Sequence, residues 1–297
     1  MSINIPTFYV QQYSSNLQLL LQQKGSRLRN SVMSGTHVGR QASPVDQLAA
    51  ISANRVTTRY AAMSRVDAAT DRRWVFPVDY DLPQLIDHFD KLRLLVDPNS
   101  QYVTNGVYAL GRAMDDEIIG SYFGTAKTGV DGSVSTTFPS TQVVSVQQGA
   151  AAPTGLTVAK LREAKRILMA NQIDIDNDPL YCVVKAKQHD NLLAEAQVIS
   201  TDFNEKPVLV EGRVHRFLGI NILYCERLTN GTDDQSGTSD QIPVYSKSGM
   251  YLGIWGDIQT DVSQRKDLQG IPWQAYAFGT FGGTRLEEKR VVKVWCR

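Results

Sequence analysis

Apolar residues mark the chain into segments of different period. Val10, Tyr13, Leu17, Leu20 and Leu21 fall on one face of a short amphipathic helix over residues 9–24, with Gln and Ser on the other face. From Gly25 to about Asp81 the helical period stops. HVGRQ, NRVTTRYAAMSRV and RRWVFPVDY read as extended chain, with Arg55–Tyr60 and Arg73–Phe76 as strands of a long two-stranded ribbon. Two strands alone are marginal in water, so this ribbon must lean on something else. Leu85, Ile86, Phe89, Leu92 and Leu95 then predict a short helix stopped by Asp97–Pro98.

The strongest period follows. Val103, Val107, Leu110, Met114, Ile118 and Tyr122 recur at steps of three and four. They predict one helix from about Asn99 to Gly124, roughly 40 Å long at about 1.5 Å per residue. Gly106, Gly111 and Gly120 interrupt it. Each costs about 1 kcal/mol against Ala, so the helix is expected to pack closely or bend there.

Residues 125–156 turn rich in Gly, Ser, Thr and Ala, which marks a loop or boundary. TVAKLREAKRILMANQ is a helix capped by Thr157. PLYCVVKAKQHDNLLAEA reads as strand then helix, FLGINILYCERL as a buried strand, and TNGTDDQSGTSD as a solvated loop. IPVYSKSGMYLGIWGD gives strand and turn, and RLEEKRVVKVWCR ends in an alternating strand. No internal repeat is visible. The fold class is α+β.

Bulk composition changes this picture little: 297 residues, 42% hydrophobic, 21% charged and net charge +1 demand neither nucleic acid nor a membrane. No apolar run approaches the roughly 18 residues of a membrane span, and the N-terminus lacks the charged and apolar regions of a signal peptide. The placement of charge is more informative. Residues 1–75 hold nine bases against three acids, so +6 sits there and −5 on the remainder, and no acid precedes Asp46. Cys182, Cys225 and Cys296 are far apart and odd in number, without CxxC or zinc spacing. They read as buried free thiols, which suits a reducing cytoplasm.

Candidate chemistry is weak. Asp115, Asp116 and Glu117 tempt as a carboxylate site, but successive helical residues point about 100° apart and these fan outward. Asp174, Asp176 and Asp178 imitate the start of a calcium loop, yet Pro179 stands where Gly is needed and Lys185 where the bidentate Glu should be. A helix-to-strand turn is the better reading. GSYFGTAKT lacks the Gly-Lys of a phosphate loop, and FGTFGGTR reads as a Gly-rich turn. G-x-S-x-G is absent, and His37, His88, His189 and His215 form no constellation. No catalytic residue, cofactor or metal ligand is assigned.

The order of parts nevertheless resembles one family. VDYDLPQLIDHFDKLRLLVDPNS followed by YALGRAMDDEIIGSYFG, then PLYCVVKAKQHDNLLAEA, RFLGINILYCERL and the closing GDIQTDVSQRKDLQGIPWQAYAFGTFGGTRLEEKRVVKVWCR match the major capsid proteins of tailed bacteriophages, which have the Hong Kong 97-like shell fold. The match covers most of residues 36–297 and rests on order and spacing. It implies an N-terminal arm over 1–35, an extended β-ribbon loop over 36–80, a peripheral domain with a long spine helix over 81–150 and 257–285, and an axial α/β domain over 151–256 and 286–297.

The resemblance implies a structural protein and no enzyme. Copies would form pentamers and hexamers of an icosahedral virion capsid around double-stranded DNA held by non-specific contact, assembled in the bacterial host cytoplasm. Arg55, Arg59, Arg72, Arg73 and Trp74 of the loop, and Asp115, Asp116 and Glu117 of the spine helix, become subunit-interface candidates. A separate scaffolding protein, a portal and a cement protein are the implied partners. The scaffold is expected to be separate because the arm helix begins almost at Met1. One branch of the family cross-links its shell through a loop lysine, but no lysine lies between Lys24 and Lys91, so non-covalent shells are expected. The alternatives are an encapsulin-like compartment shell of the same fold, and a soluble α+β enzyme with its site split across segments.

Overall fold

The computed structural model describes residues 20–39, 46–55, 57–59, 65–86, 99–195 and 214–297. Four strands, β1 (Met33–Thr36), β2 (Asp46–Leu48), β3 (Thr70–Trp74) and β4 (Val78–Ile86), precede the 25-residue helix α1 (Asn99–Phe123). Next come β5 (Ala126–Thr128), β6 (Val134–Thr136), β7 (Val143–Val144), α2 (Val158–Ala170), β8 (Leu180–Val184) and α3 (Ala186–Leu193). The chain ends with β9 (Arg216–Phe217), β10 (Ile220–Tyr224), β11 (Asn230–Thr232), β12 (Thr238–Ser246), β13 (Met250–Gln264), β14 (Trp273–Arg285) and β15 (Val291–Cys296).

Three sheets result. One has the order β1-β13-β14-β4 and carries α1 across β14 and β13. The largest has the order β7-β15-β12-β8-β10-β9, with β11 beside β12, and packs α2 on β15. A small third sheet, β2-β3-β5-β6, forms the base of the extended loop.

The long helix is where the period placed it, and two of its three glycines have a reason. A Cβ at Gly111 would lie 2.7 Å from the backbone of Gly25 and Ser26, so only glycine lets the arm cross there. A Cβ at Gly106 would meet the Cβ of Ala277 at 3.1 Å. At Gly120 nothing lies within 4 Å, and packing does not explain it. The apolar stripe of Met114, Ile118 and Tyr122 enters one core with α2 and the largest sheet, where the Tyr122 ring sits 4.9 Å from Tyr245. This core joins the helix to the α/β part, and fully burying one such side chain stabilises by roughly 1.5–3 kcal/mol. The three cysteines are buried and free.

In α2, the Thr157 side chain caps the first turn by accepting from the Lys160 amide. Val158, Leu161, Ala164 and Leu168 form the buried face. Lys160 is also buried, and its Nζ donates to Thr154 O, Gly155 O and Trp295 O at 2.7, 3.0 and 2.8 Å. Burial lowers its pKa, while the three carbonyls tie the last strand to the turn before α2.

Several sequence expectations are corrected. The ribbon partner of β3 is Asp46–Leu48, not Arg55–Tyr60; the described residues of that segment form no strand. Residues 81–86, expected to open a helix, continue β4 because they pair with β14 through Trp273–Phe278. The rest of that expected helix, 87–98, and residues 9–19 of the arm helix lie outside the described residues. FGTFGGTR is no turn but the end of β14: a Cβ at Gly283 would meet Glu117 O at 2.9 Å, so this glycine admits α1, while one at Gly282 would meet Phe76 O.

TNGTDDQSGTSD is a hairpin rather than a solvated loop, with β11 paired to β12. Its organiser is Asp233. One carboxylate oxygen accepts from the Gln235 and Gly237 amides at 2.9 and 2.8 Å. The other accepts from Ser239 Oγ at 2.5 Å and Arg297 Nη2 at 2.8 Å. Burial pushes this acid upward, but the Ser239 hydroxyl, the two amides and Arg297 outweigh it and hold it at about 2.

Two outcomes follow from this packing. Gly111→Ala should lift the arm and expose residues 20–30 to protease, whereas Gly120→Ala should leave the arm in place and stabilise the helix by about 1 kcal/mol. Asp233, depressed below its ordinary value, contributes stability above about pH 4 that is lost as pH falls toward about 2. Asp233→Asn should therefore flatten the stability profile in that window, measured by denaturant unfolding. An unaltered profile would place the acid transition elsewhere.

Candidate docking site for the arm and the extended loop

The three acids of α1 fan out as expected, but their partners lie within the chain. Asp115 is fully buried and faces the arm. Its Oδ1 accepts from Ser26 Oγ at 2.5 Å and the Leu28 amide at 3.1 Å; its Oδ2 accepts from Gln23 Nε2 at 2.5 Å and the Arg27 amide at 3.0 Å. Four donors on two oxygens satisfy a buried charge without a cation. The expectation that Asp115 faces a neighbour or solvent is therefore wrong. The sequence hid this because the donors lie about ninety residues away along the chain.

Asp116 is exposed and pairs with Arg227, whose Nε donates at 2.6 Å. Glu117 accepts from Tyr80 Oη of β4 at 2.5 Å. Burial first, then that hydrogen bond, pushes the Tyr80 phenol up to about 12. Further contacts fasten the arm. Arg112 donates to Gln22 Oε1 at 2.7 Å and Gln23 O at 3.1 Å. Arg29 makes a two-pronged pair with Asp257 at 3.0 and 2.7 Å. Sequence reasoning missed Gln22, Gln23, Ser26 and Arg112, whose partners lie about ninety residues away along the chain.

The loop arginines divide. Arg73 is buried and donates to Glu288 Oε2 at 2.5 Å, so it cannot dock on another copy; that expectation is corrected. Arg72 pairs with Asp46 at 2.6 and 3.2 Å and lies over the Trp74 ring. The Asp46 hydrogen bond raises its pKa further. Trp74 donates its indole N–H to Gly129 O at 2.7 Å, which pins the base of the loop to the β5–β6 turn. Arg55 and Arg59 are exposed and have no partner among the described residues. Beside them the loop exposes Leu48 (71%) and Ile51 (61%).

A complementary surface lies on the sheet face opposite α1. Tyr276 and Phe278 stack there, ring centroids 5.2 Å apart. Register puts Asp261 opposite Tyr276 and Asp81 opposite Phe278, so carboxylates flank the aromatic pair on both sides. Neither carboxylate has a partner among the described residues. Among the described residues no three His, Cys, Asp or Glu side chains are placed to hold a metal.

This geometry matches a known class. The structure is similar to the capsid of Cyanophage P-SCSP1u, at TM-score 0.75 and 15% identity over 98% of this chain and 93% of that one. It is also similar to the Cyanophage Pam1 capsid, at TM-score 0.73 and 10% identity over 100% and 99% of the two chains. The capsid of Ralstonia phage GP4 matches at TM-score 0.68 and 11% identity over 100% and 98%. A search of curated proteins gave no match. The fold is thus that of phage capsid shells. The phage capsid protein model matches residues 5–297, and the chain belongs to that family: it is a major capsid protein, structural rather than enzymatic.

The two kinds of acid on α1 predict different costs. Asp115→Asn puts an amide donor among donors in a buried site, and unfolding measurements should give a loss of roughly 3 kcal/mol. Asp116→Asn breaks an exposed pair and should cost less than about 1 kcal/mol. Equal losses would contradict the assigned roles.

Proposed function

We propose that this capsid protein closes by rotation into five- and six-membered rings, and that the rings build an icosahedral head around double-stranded DNA. Heterologous contacts generate rings of this kind. The observation that carries the reading is the unfinished loop: exposed Leu48 and Ile51, with Arg55 and Arg59 that have no partner among the described residues, next to a small sheet with little core of its own. Such a surface is completed by another copy. The stacked Tyr276–Phe278 pair between Asp81 and Asp261 has the chemistry to receive those guanidiniums. Arg72 and Trp74 shape the loop base for that contact, and Asp116 and Glu117 hold the helix surface beneath it.

The same reading divides the chain into an arm over 1–35, a loop over 36–80, a peripheral domain over 81–150 and 257–285, and an axial domain over 151–256 and 286–297. Pairing of β15 with β12 supports giving the last residues to the axial part. Assembly takes place in the bacterial host cytoplasm. A separate scaffolding protein, a portal and a cement protein are its partners, and the genome is held by non-specific contact.

Purified protein should form capsomers or uniform shells visible by negative-stain electron microscopy. Assembly should weaken as salt rises, because exposed charges are screened beyond about 10 Å at about 0.1 M. Arg55→Glu with Arg59→Glu should abolish particles while leaving the unfolding midpoint unchanged; equal loss of fold and assembly would refute the docking role. Boiled, reduced particles should run as 33.0 kDa monomers, since the loop's bases are arginines and cannot supply an isopeptide amine. A detergent-resistant ladder would overturn that.

A further inference from the structure

One histidine ring serves as the acceptor for a backbone amide. Val214, buried in the main core, donates its N–H to His189 Nε2 at 3.2 Å. A backbone amide has only a proton to give, so Nε2 must offer its lone pair. The imidazole in this contact is therefore neutral and carries its proton on Nδ1. His189 is fixed in α3, where its own backbone N–H donates to Lys185 O at 3.0 Å.

The contact closes a short hairpin onto the helix. His215 O accepts from the Ile222 amide at 2.9 Å, and β9 pairs with β10 through Phe217 and Ile220. Those bonds join the segment to the largest sheet, and the Val214–His189 bond joins it to α3. Imidazole takes up its second proton between about pH 5 and 8. In the cation both ring nitrogens are donors, so turning the ring over restores nothing, and the Val214 amide loses its acceptor. A buried amide without an acceptor is costly.

We propose that His189 is a pH-sensitive latch that fastens the start of the β9–β10 hairpin to α3, closed while the ring is neutral and released by its protonation. The elements packed around α3 bring several charged or titratable groups. These are Lys187 and Asp190 on the helix, Lys185 before it, and Glu226, which accepts from the Ala186 amide at its start. Tyr181 and Cys182 lie on β8, and His215 and Arg216 follow Val214. Lys185 is engaged with Asp240 and Asn230. A carboxylate such as Asp190 can stabilise the imidazolium, but the Val214 amide is still left without its acceptor. The ladders of β8 with β10 and β12 are backbone bonds with no titrating acceptor, so they stay intact when the latch opens.

Amide exchange on the full chain tests this at about pH 7.5 and about pH 5.5, with each rate corrected for its intrinsic pH dependence. Protection at Val214, Arg216 and Phe217 should fall by roughly tenfold on acidification, while protection over residues 180–184 holds. His189→Gln sets an amide oxygen near the place of Nε2 and does not titrate, so protection at Val214 should stay level between the two conditions. His215→Gln should keep the tenfold fall, and a fall that vanished with His215 would overturn the assignment. So would an equal fall in His189→Gln, or no fall in the native chain. If His189→Gln does not fold, nitrogen NMR of the native imidazole decides. Nε2 should carry no proton at about pH 7.5 and gain one as Val214 opens; a proton on Nε2 at about pH 7.5 would rule the latch out.

Discussion

Asp115 lies on the buried side of α1 with Gln23, Ser26, Arg27 and Leu28 gathered around its two oxygens. The contact is possible because Gly111, one turn earlier, lets the arm backbone come within reach. On the opposing side Gly283 lets β14 approach the same helix. A helix squeezed between an arm and a sheet has little freedom to shift, and its stripe of Met114, Ile118 and Tyr122 then fixes the α/β core against it. One element in the middle of the chain thus holds β15 through that core and the described arm residues through a buried carboxylate.

Against this rigid body stands a loop that one chain leaves incomplete. Its root is fixed by Trp74 and by the buried Arg73–Glu288 pair. Beyond the root the described residues are exposed, apolar and basic together. Large exposed apolar side chains beside unpaired charge are a liability in a monomer and an advantage in a shell. The sheet face with Tyr276, Phe278, Asp81 and Asp261 has the opposite character. Under the proposed assembly, stability would reside in the body of this phage capsid protein and association in the parts that the body leaves outside.

Where local pattern and tertiary packing agreed, the sequence was readable. The apolar step of α1, the Thr157 cap of α2, and the β8–α3 passage are encoded within a few residues of themselves. Misreadings fell where a distant partner decides. Residues 81–86 have a helical spacing of Leu and Ile, but β14 offers a pairing position to each of the six and wins. The glycines of FGGTR looked like a turn because their neighbours are distant in the chain: Gly282 faces the Phe76 backbone and Gly283 admits a helix more than 150 residues earlier. Charge counting found a basic arm and loop but could not separate Arg73, which is buried against Glu288, from Arg55 and Arg59, which are free among the described residues. The same blindness applied to Asp115 and Asp116, adjacent in sequence and opposite in role.

The central claim is that body and loop differ in where their stability comes from. Hydrogen exchange compared between unassembled chain and assembled shell measures it directly. Amides of α1 from Leu110 to Tyr122 should be equally protected in both forms. Those of residues 50–55, 57–59 and 65–68, beyond the β2–β3 ladder, should exchange freely in the unassembled chain and slow by roughly tenfold or more on assembly. Strong protection of the loop in the unassembled chain, or protection of α1 that appears only in the shell, would contradict the account.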